Sequence, residues 1–188
     1  MRIVVDMQGA QTSSSWRGIG RYTLSLVEAM LRNNSKNEIV LMLNPLFTET
    51  CNSIDSIRAA FEGLIPQERV RLLFFPNIFS ENSSENIELR KVAEQLSQAF
   101  INSLCPDVLL ITSPFEGFNE NAVTIVGSEQ NSYKTVVIIY DLIPMVFSKH
   151  YLKKTSDYKI FYEEKINRLV KADAVLTISE SSKNDISN

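Results

Sequence analysis

Histidine, cysteine and tryptophan are scarce in this chain: 188 residues include one His, two Cys and one Trp. With His150 alone, a zinc site or a Ser-His-Asp triad has little to draw on. Cys51 and Cys105 lack metal-ligand spacing; both are expected as free thiols in a reducing compartment. No apolar run reaches the roughly 18 residues of a membrane span, and no signal-peptide core precedes the opening MRIVVD. A cytoplasmic protein is therefore expected, with any membrane contact peripheral. The net charge of -3 provides no global basic field, so nucleic acid is not an expected partner. No P-loop GK[ST] occurs, and no two aspartates stand at i, i+2 to form an Asp-x-Asp metal clamp.

What is present fits an ordinary globular domain. The chain is 44% apolar and 22% charged, and its length suits one domain over residues 1–188. Six short apolar runs stand out: Arg2–Asp6, Glu38–Leu43, Val70–Phe75, Asp107–Thr112, Thr135–Tyr140 and Ala174–Ile178. They are near-continuous rather than alternating, as in parallel strands buried on both faces. Helical spacing separates most of them. Ile19, Tyr22, Leu26, Val27, Met30 and Leu31 form one set, and Ile54, Ile57, Phe61 and Leu64 another. Leu89, Val92, Ala93, Leu96, Phe100 and Leu104 form a third, and Tyr158, Phe161, Tyr162, Ile166 and Leu169 a fourth. This alternation predicts a Rossmann-like, doubly wound α/β fold: a mostly parallel sheet of about six or seven strands with helices on both faces. The connection from Pro114 to Lys134 is long for a structureless loop, and its Ala122–Gly127 piece reads as an extra short strand or a buried turn. Ser179 reads as the N-cap of a new helix on which the sequence stops, so more protein is expected beyond Asn188.

The strand exits are the candidate functional surface, because ligands of open parallel sheets bind outside the carboxyl ends of the strands. Asp6, Asn44, Asn77, Ser113 with Glu116, Asp141 and Ser179 stand there. Taken singly, each reads as a loop polar group or helix cap. The segment Val136–Pro144, VVIIYDLIP, places an acid where a buried run breaks, a costly position unless the acid is paired or solvated. After a long first loop, Gly18-Ile19-Gly20-Arg21 opens a helix. Glycines permit close backbone approach there, free N–H groups attract phosphate, and Arg21 adds a fork of donors. The dinucleotide fingerprint is not met. The third glycine is missing, the glycines lie a long loop away from Asp6, and no acid ends the second run. Between Tyr151 and Lys171, Lys153, Lys154, Lys159, Lys165, Arg168 and Lys171 outnumber Asp157, Glu163 and Glu164. Contact with anionic lipid or a phosphate-bearing acceptor is one reading, and a solvated helix with its aromatic face in the core is the favoured one.

Four pieces in order, RIVVDMQGAQ…RGIGRYTLSLVEAM, DVLLITSPFEGF, VVIIYDLIPMVFSKHYL and FYEEKINRLVKADAVLTISESSKNDI, carry a resemblance over nearly the whole chain. It resembles the N-terminal half of a family 4 type glycosyltransferase with the GT-B fold. The resemblance implies two Rossmann-like domains facing a cleft, the N-terminal one mainly holding the acceptor. The donor domain, which would carry a Glu-x7-Glu motif, lies outside this chain, since no two glutamates here stand eight positions apart. Such a half is not expected to transfer sugar alone. By resemblance, Gly18 and Gly20 approach the donor diphosphate, the anion for which Arg21 reads as an added donor. Asp141 is the acid of a His-Asp pair in which Tyr140 replaces the histidine, and Glu116 is the acid of a Phe-Glu-Gly piece near the acceptor. The implied activity is retaining, metal-independent transfer of a hexose from a nucleotide sugar to a growing polysaccharide or lipid-linked glycan, without a cofactor. UDP-glucose and GDP-mannose are the implied donors, and the implied partners are the nucleotide sugar, the acceptor and the protein's own C-terminal domain. The alternative is a non-catalytic α/β module that binds a nucleotide or glycan.

Overall fold

Near-continuous apolar strands need cover on both faces, and the fold supplies it for the inner runs but not for the last, where Leu176 is 49% exposed. A computed structural model describes residues 1–34, 36–47, 53–75, 87–127, 132–153 and 156–187. Among them, six strands form one all-parallel sheet: β1 (Arg2–Asp6), β2 (Glu38–Leu43), β3 (Val70–Leu72), β4 (Val108–Ile111), β5 (Lys134–Ile139) and β6 (Ala174–Thr177). Their order is β3-β2-β1-β4-β5-β6, so the order reverses between β1 and β4. Register there is fixed by Ile3 opposite Val108 and Asp6 opposite Ile111.

Successive side chains enter opposite layers, as the strand period requires. Val4, Met42, Leu109, Ile111, Val137 and Ile139 build one core, joined by Ala93, Ile101 and Leu104 of the segment containing α4 (Ile87–Ser103). Val5, Leu41, Leu43, Leu110 and Ile138 build the other, with Val27 of α2 (Gly18–Asn33) and Ile57 of α3 (Ile54–Ala60). Each fully buried Val, Leu, Ile or Met among them stabilises the fold by about 1.5–3 kcal/mol. Short helical turns α1 (Gln8–Gln11), α5 (Ile143–Val146) and α6 (Ser148–Tyr151) follow β1 and β5, and α7 (Asp157–Leu169) and α8 (Glu180–Ser187) flank β6. Serines cap three helix starts: Ser53, Ser156 and Ser179 accept from the backbone N–H groups of Ser56, Lys159 and Ser182. Among the described residues, no helix is long and apolar enough to cross a membrane.

The structure corrects several expectations. The third strand ends at Leu72, not Phe75; of the two readings of Ala122–Gly127 the structure has the buried, strand-free one. The α4 periodicity identified the helix but not its rotation. Leu89, Val92 and Leu96 are 38–45% exposed, while Ala93, Ser97 and Ile101 are buried. Small residues at 93 and 97 let the helix axis approach the sheet, and the bulkier side chains fall to the flanks. Helix α7 follows the favoured reading, with Phe161 and Tyr162 buried. Cys105 is a free, exposed thiol. Cys51, Asn77 and Lys154 lie outside the described residues.

Candidate functional site

At the β1/β4 reversal, an open parallel sheet ordinarily leaves a crevice for ligand. Here the connection after β4 folds back and fills it with protein. Gln8, 1% exposed, is the centre of the plug. Its side-chain amide donates to Asp6 Oδ2 at 3.0 Å and to Val123 O at 2.6 Å, and its Oε1 accepts from Val123 N at 3.0 Å. Asn44, at the exit of β2, donates to Gln8 Oε1 at 3.3 Å and to Asn121 O at 2.7 Å. Gln11 exchanges two bonds with the Asn44 backbone, at 3.0 and 2.8 Å. These groups satisfy one another, which lets so many polar atoms be buried. Burial still dominates for Asp6: it pushes the carboxyl up to about 6, against the Gln8 bonds and the charge of Lys165 that favour ionisation.

A second group ties the first loop to the same connection. Glu116, 7% exposed, accepts from Thr12 Oγ1 and Ser113 Oγ, each at 2.6 Å. Burial raises its carboxyl, opposed by these bonds. Thr12 Oγ1 in turn accepts from Ser14 N, starting a 3-10 turn over Ser13–Trp16, and Ser13 N donates to Glu120 Oε1 at 2.7 Å. Gly117 adopts φ +107°, a conformation that only glycine takes readily, beside the Ala122 carbonyl.

That turn abuts the start of α2. A Cβ on Gly20 would lie 2.5 Å from Ser15 Cα and 2.9 Å from Ser14 O, so Gly20 is a packing requirement. A Cβ on Gly18 would meet nothing within 4 Å, and Gly18 and Arg21 are exposed at the helix start. Tyr140 is turned toward the same helix. Its hydroxyl lies 3.2 Å from Thr23 Oγ1 and donates to Ile19 O at 3.5 Å, and its ring meets Tyr22 edge-on with centroids 5.5 Å apart. Burial pushes this phenol up to about 12. Asp141 is exposed, and its Oδ1 accepts from Ile143 N at 3.0 Å, as a turn acid does at the entry to α5. Ser182 of α8 donates to Tyr140 O at 2.6 Å.

The expected site residues therefore fall into two groups. Gly18, Arg21 and Asp141 are open to solvent, whereas Gly20, Glu116 and Tyr140 are engaged with neighbouring protein. Sequence reasoning missed Gln8, Gln11 and Thr12, which read as loop residues. It also counted Lys165 among solvated cations, yet Lys165 is 3% exposed. Its Nζ donates to Thr124 Oγ1 at 2.7 Å and lies 5.2 Å from the Phe161 ring centre. Burial, then Arg90 and Arg168, lowers its ammonium to about 7. A signal was available: Lys165 stands four residues after Phe161 and three after Tyr162, on the helix face those aromatics bury.

The sequence is similar to a serotype-specific mannosyltransferase, WbdA, of Escherichia coli, at 26% identity over 186 residues, 99% of this chain and 22% of that protein. Two further Escherichia coli proteins of the same name are 23% and 22% identical over 158 residues, 84% of this chain and 19% of each. The chain thus spans about a fifth of the length of the curated relatives it matches. No protein-family model matches the sequence, and no solved structure does.

Proposed function

We propose that this chain is the acceptor-side domain of a retaining, metal-independent glycosyltransferase with the GT-B arrangement, which moves a hexose from a nucleotide sugar to a growing polysaccharide or lipid-linked glycan. The observation that carries the reading is the similarity to named mannosyltransferases along 84–99% of the chain. That name favours mannose, hence GDP-mannose over UDP-glucose as donor. In this reading a C-terminal domain supplies most of the donor site, and the protein works in the cytoplasm with any membrane contact peripheral.

The chemistry asked of this half is modest. The exposed start of α2, a helix of 16 residues, offers unpaired N–H groups and the positive end of the helix dipole to a diphosphate, with Arg21 beside them. Asp141 receives the acceptor: an exposed carboxylate accepts a hydrogen bond from an incoming hydroxyl and takes its proton late, as that hydroxyl acidifies in the transition state. Tyr140 contributes no base, since its phenol is held neutral by burial.

The test is transfer of radiolabelled mannose from GDP-mannose to a mannan oligosaccharide by the intact protein that contains this segment. Asp141→Asn is expected to lower the turnover number by about 100-fold or more, the usual contribution of acid–base catalysis. A turnover within a few-fold of wild type removes the role given to Asp141. Tight binding of GDP-mannose without transfer by the intact wild type supports the binding-module alternative.

A further inference from the structure

We infer that Glu116 is a positioning residue that sets the start of α2 from the loop after β4, rather than a group that touches the acceptor. For its kinetic consequences this inference rests on the transferase reading above. Each of its oxygens accepts a hydroxyl bond at 2.6 Å, one from Thr12 of the first loop and one from Ser113 of its own connection. Both oxygens are thus committed to protein, and Glu116 is buried. Thr12 passes the constraint on. Its proton goes to Glu116 and its lone pair accepts from Ser14 N, so the carboxylate fixes the second amide of the 3-10 turn. The turn passes it further by contact, since Gly20 has no room for a Cβ against Ser15 Cα and the carbonyls of Ser14 and Ser15. Shifting the turn by an ångström therefore shifts the first turn of α2, which holds the exposed Gly18 amide and Arg21. Glu120 is a weaker second tie, because its bond from Ser13 N is exposed to water. The base of the lever is rigid: Gly117 holds the loop at φ +107°, and a Cβ on Gly9 would lie 2.7 Å from Ser113 Cβ.

The bonding pattern asks for an acceptor on both sides. A glutamine at 116 presents an N–H2 to one of two hydroxyls that now donate, and that hydroxyl must turn its proton away. A carboxylate also makes the stronger, shorter bonds expected of a charged acceptor.

The experiment uses the intact protein with Glu116→Gln, Thr12→Val and Thr12→Ser, reading amide hydrogen exchange over residues 13–21 and the separate KM values for GDP-mannose and acceptor. Expected for Glu116→Gln and Thr12→Val are exchange at least tenfold faster over residues 13–21, unchanged sheet amides, a donor KM raised tenfold or more, and an acceptor KM within twofold. Thr12→Ser keeps the hydroxyl and should stay within twofold of wild type throughout. In the Glu116→Gln/Thr12→Val double variant the two effects on exchange should fall short of additive, because each removes the one Thr12–Glu116 bond, while the Ser14 hydroxyl contact of Glu116 and the Ser14 N bond of Thr12 are lost separately. A raised acceptor KM with unaltered exchange over residues 13–21 overturns the inference and returns Glu116 to the acceptor. If Glu116→Gln does not fold, Glu116→Asp, whose carboxylate is one methylene short of the Thr12 hydroxyl, takes its place with the same readouts, and unaltered exchange over residues 13–21 in it overturns the inference. If the intact wild type transfers no sugar, the function proposed above fails, while the exchange measurements still test the link itself.

Discussion

Lys165 buries an ammonium beside an aromatic ring with one hydrogen-bond acceptor, and its removal should leave a pH-dependent signature. The residue is 3% exposed, and its ammonium is lowered to about 7 from an ordinary 10.5, with burial the largest cause. Arg90 and Arg168 add to the lowering, whereas Glu94 and Glu164 oppose it. The sign follows from proton counting. Between about pH 7 and 10 the unfolded chain holds a proton on this lysine and the folded chain does not, so stability rises with pH. The slope attributable to one group is about 1.4 kcal/mol per pH unit within that window, and it vanishes below pH 7, where both states are protonated. Lys165→Met keeps the volume and removes the titration, and Thr124 still donates to Pro114 O at 2.8 Å. The variant is therefore expected to be more stable than wild type by about 2–4 kcal/mol at pH 7, a gain that shrinks by about 1.4 kcal/mol per unit toward pH 9. Urea unfolding of both proteins at pH 7, 8 and 9 measures the difference directly; the window lies above the titration of Asp6, which Lys165 helps to ionise and which would not cancel near pH 6. Parallel stability curves from pH 7 to 9 would refute the reasoning, for they would mean that Lys165 keeps its proton inside the fold.

Two further outcomes test the packing of the edge. Gly20→Ala should destabilise the chain by about 1–3 kcal/mol, because its methyl would meet backbone, whereas Gly18→Ala, whose methyl would meet nothing, should be neutral or stabilising by up to about 1 kcal/mol; equal midpoints in urea contradict this assignment. Gln8→Leu leaves Asp6 Oδ2 and both backbone groups of Val123 without their partner, while Asp6 Oδ1 keeps the backbone N–H of residue 8; a loss of about 2–4 kcal/mol is expected by the same measurement, with a loss below 1 kcal/mol showing that water or neighbours replace the amide.

The inner strands were legible because a strand covered on both faces needs no polar positions, and all six runs, the half-open edge strands β3 and β6 included, became strands with ends shifted by at most a few residues. The ends drifted where pairing, not hydrophobicity, decides. Phe74 continues the third apolar run yet is 68% exposed, and β3 stops at Leu72, where its register with β2 ends. The rotation of α4 was not legible, since Leu and Val dominate any periodicity count while Ala93 and Ser97 make the close contact. The site was legible as a place more than as a set of roles. Asp6, Asn44, Ser113, Glu116 and Asp141 do stand at strand exits, but sequence spacing cannot tell a carboxylate facing solvent from one facing two hydroxyls. That distinction depends on Thr12, 104 positions away from Glu116, and only the sheet order brings the two together.

The plugged crevice ties these observations to one another. A dinucleotide site at a β1/β4 reversal needs a tight glycine turn directly after β1, so that a diphosphate can approach the backbone there. In this chain β1 runs instead into Met7 and the helical turn Gln8–Gln11, and the Gln8 side chain, bonded on both sides of Val123, occupies the space. Gly9, inside that helical turn, packs closely against Ser113, and the next glycines are Gly18 and Gly20, after the turn that Glu116 and Glu120 hold. The long first loop and the missing third glycine are thus two consequences of one choice, a sheet whose switch point is filled by its own connection. A nicotinamide dinucleotide has no room at that point without expelling a buried network of amides and a carboxylate, at a cost of several kcal/mol. What stays open is the neighbouring ground between the start of α2 and the β5 exit. Tyr140 there bonds to α2 and leaves Asp141 as the exposed acid beside it, so the place of the acid follows from the plug as much as from its own strand.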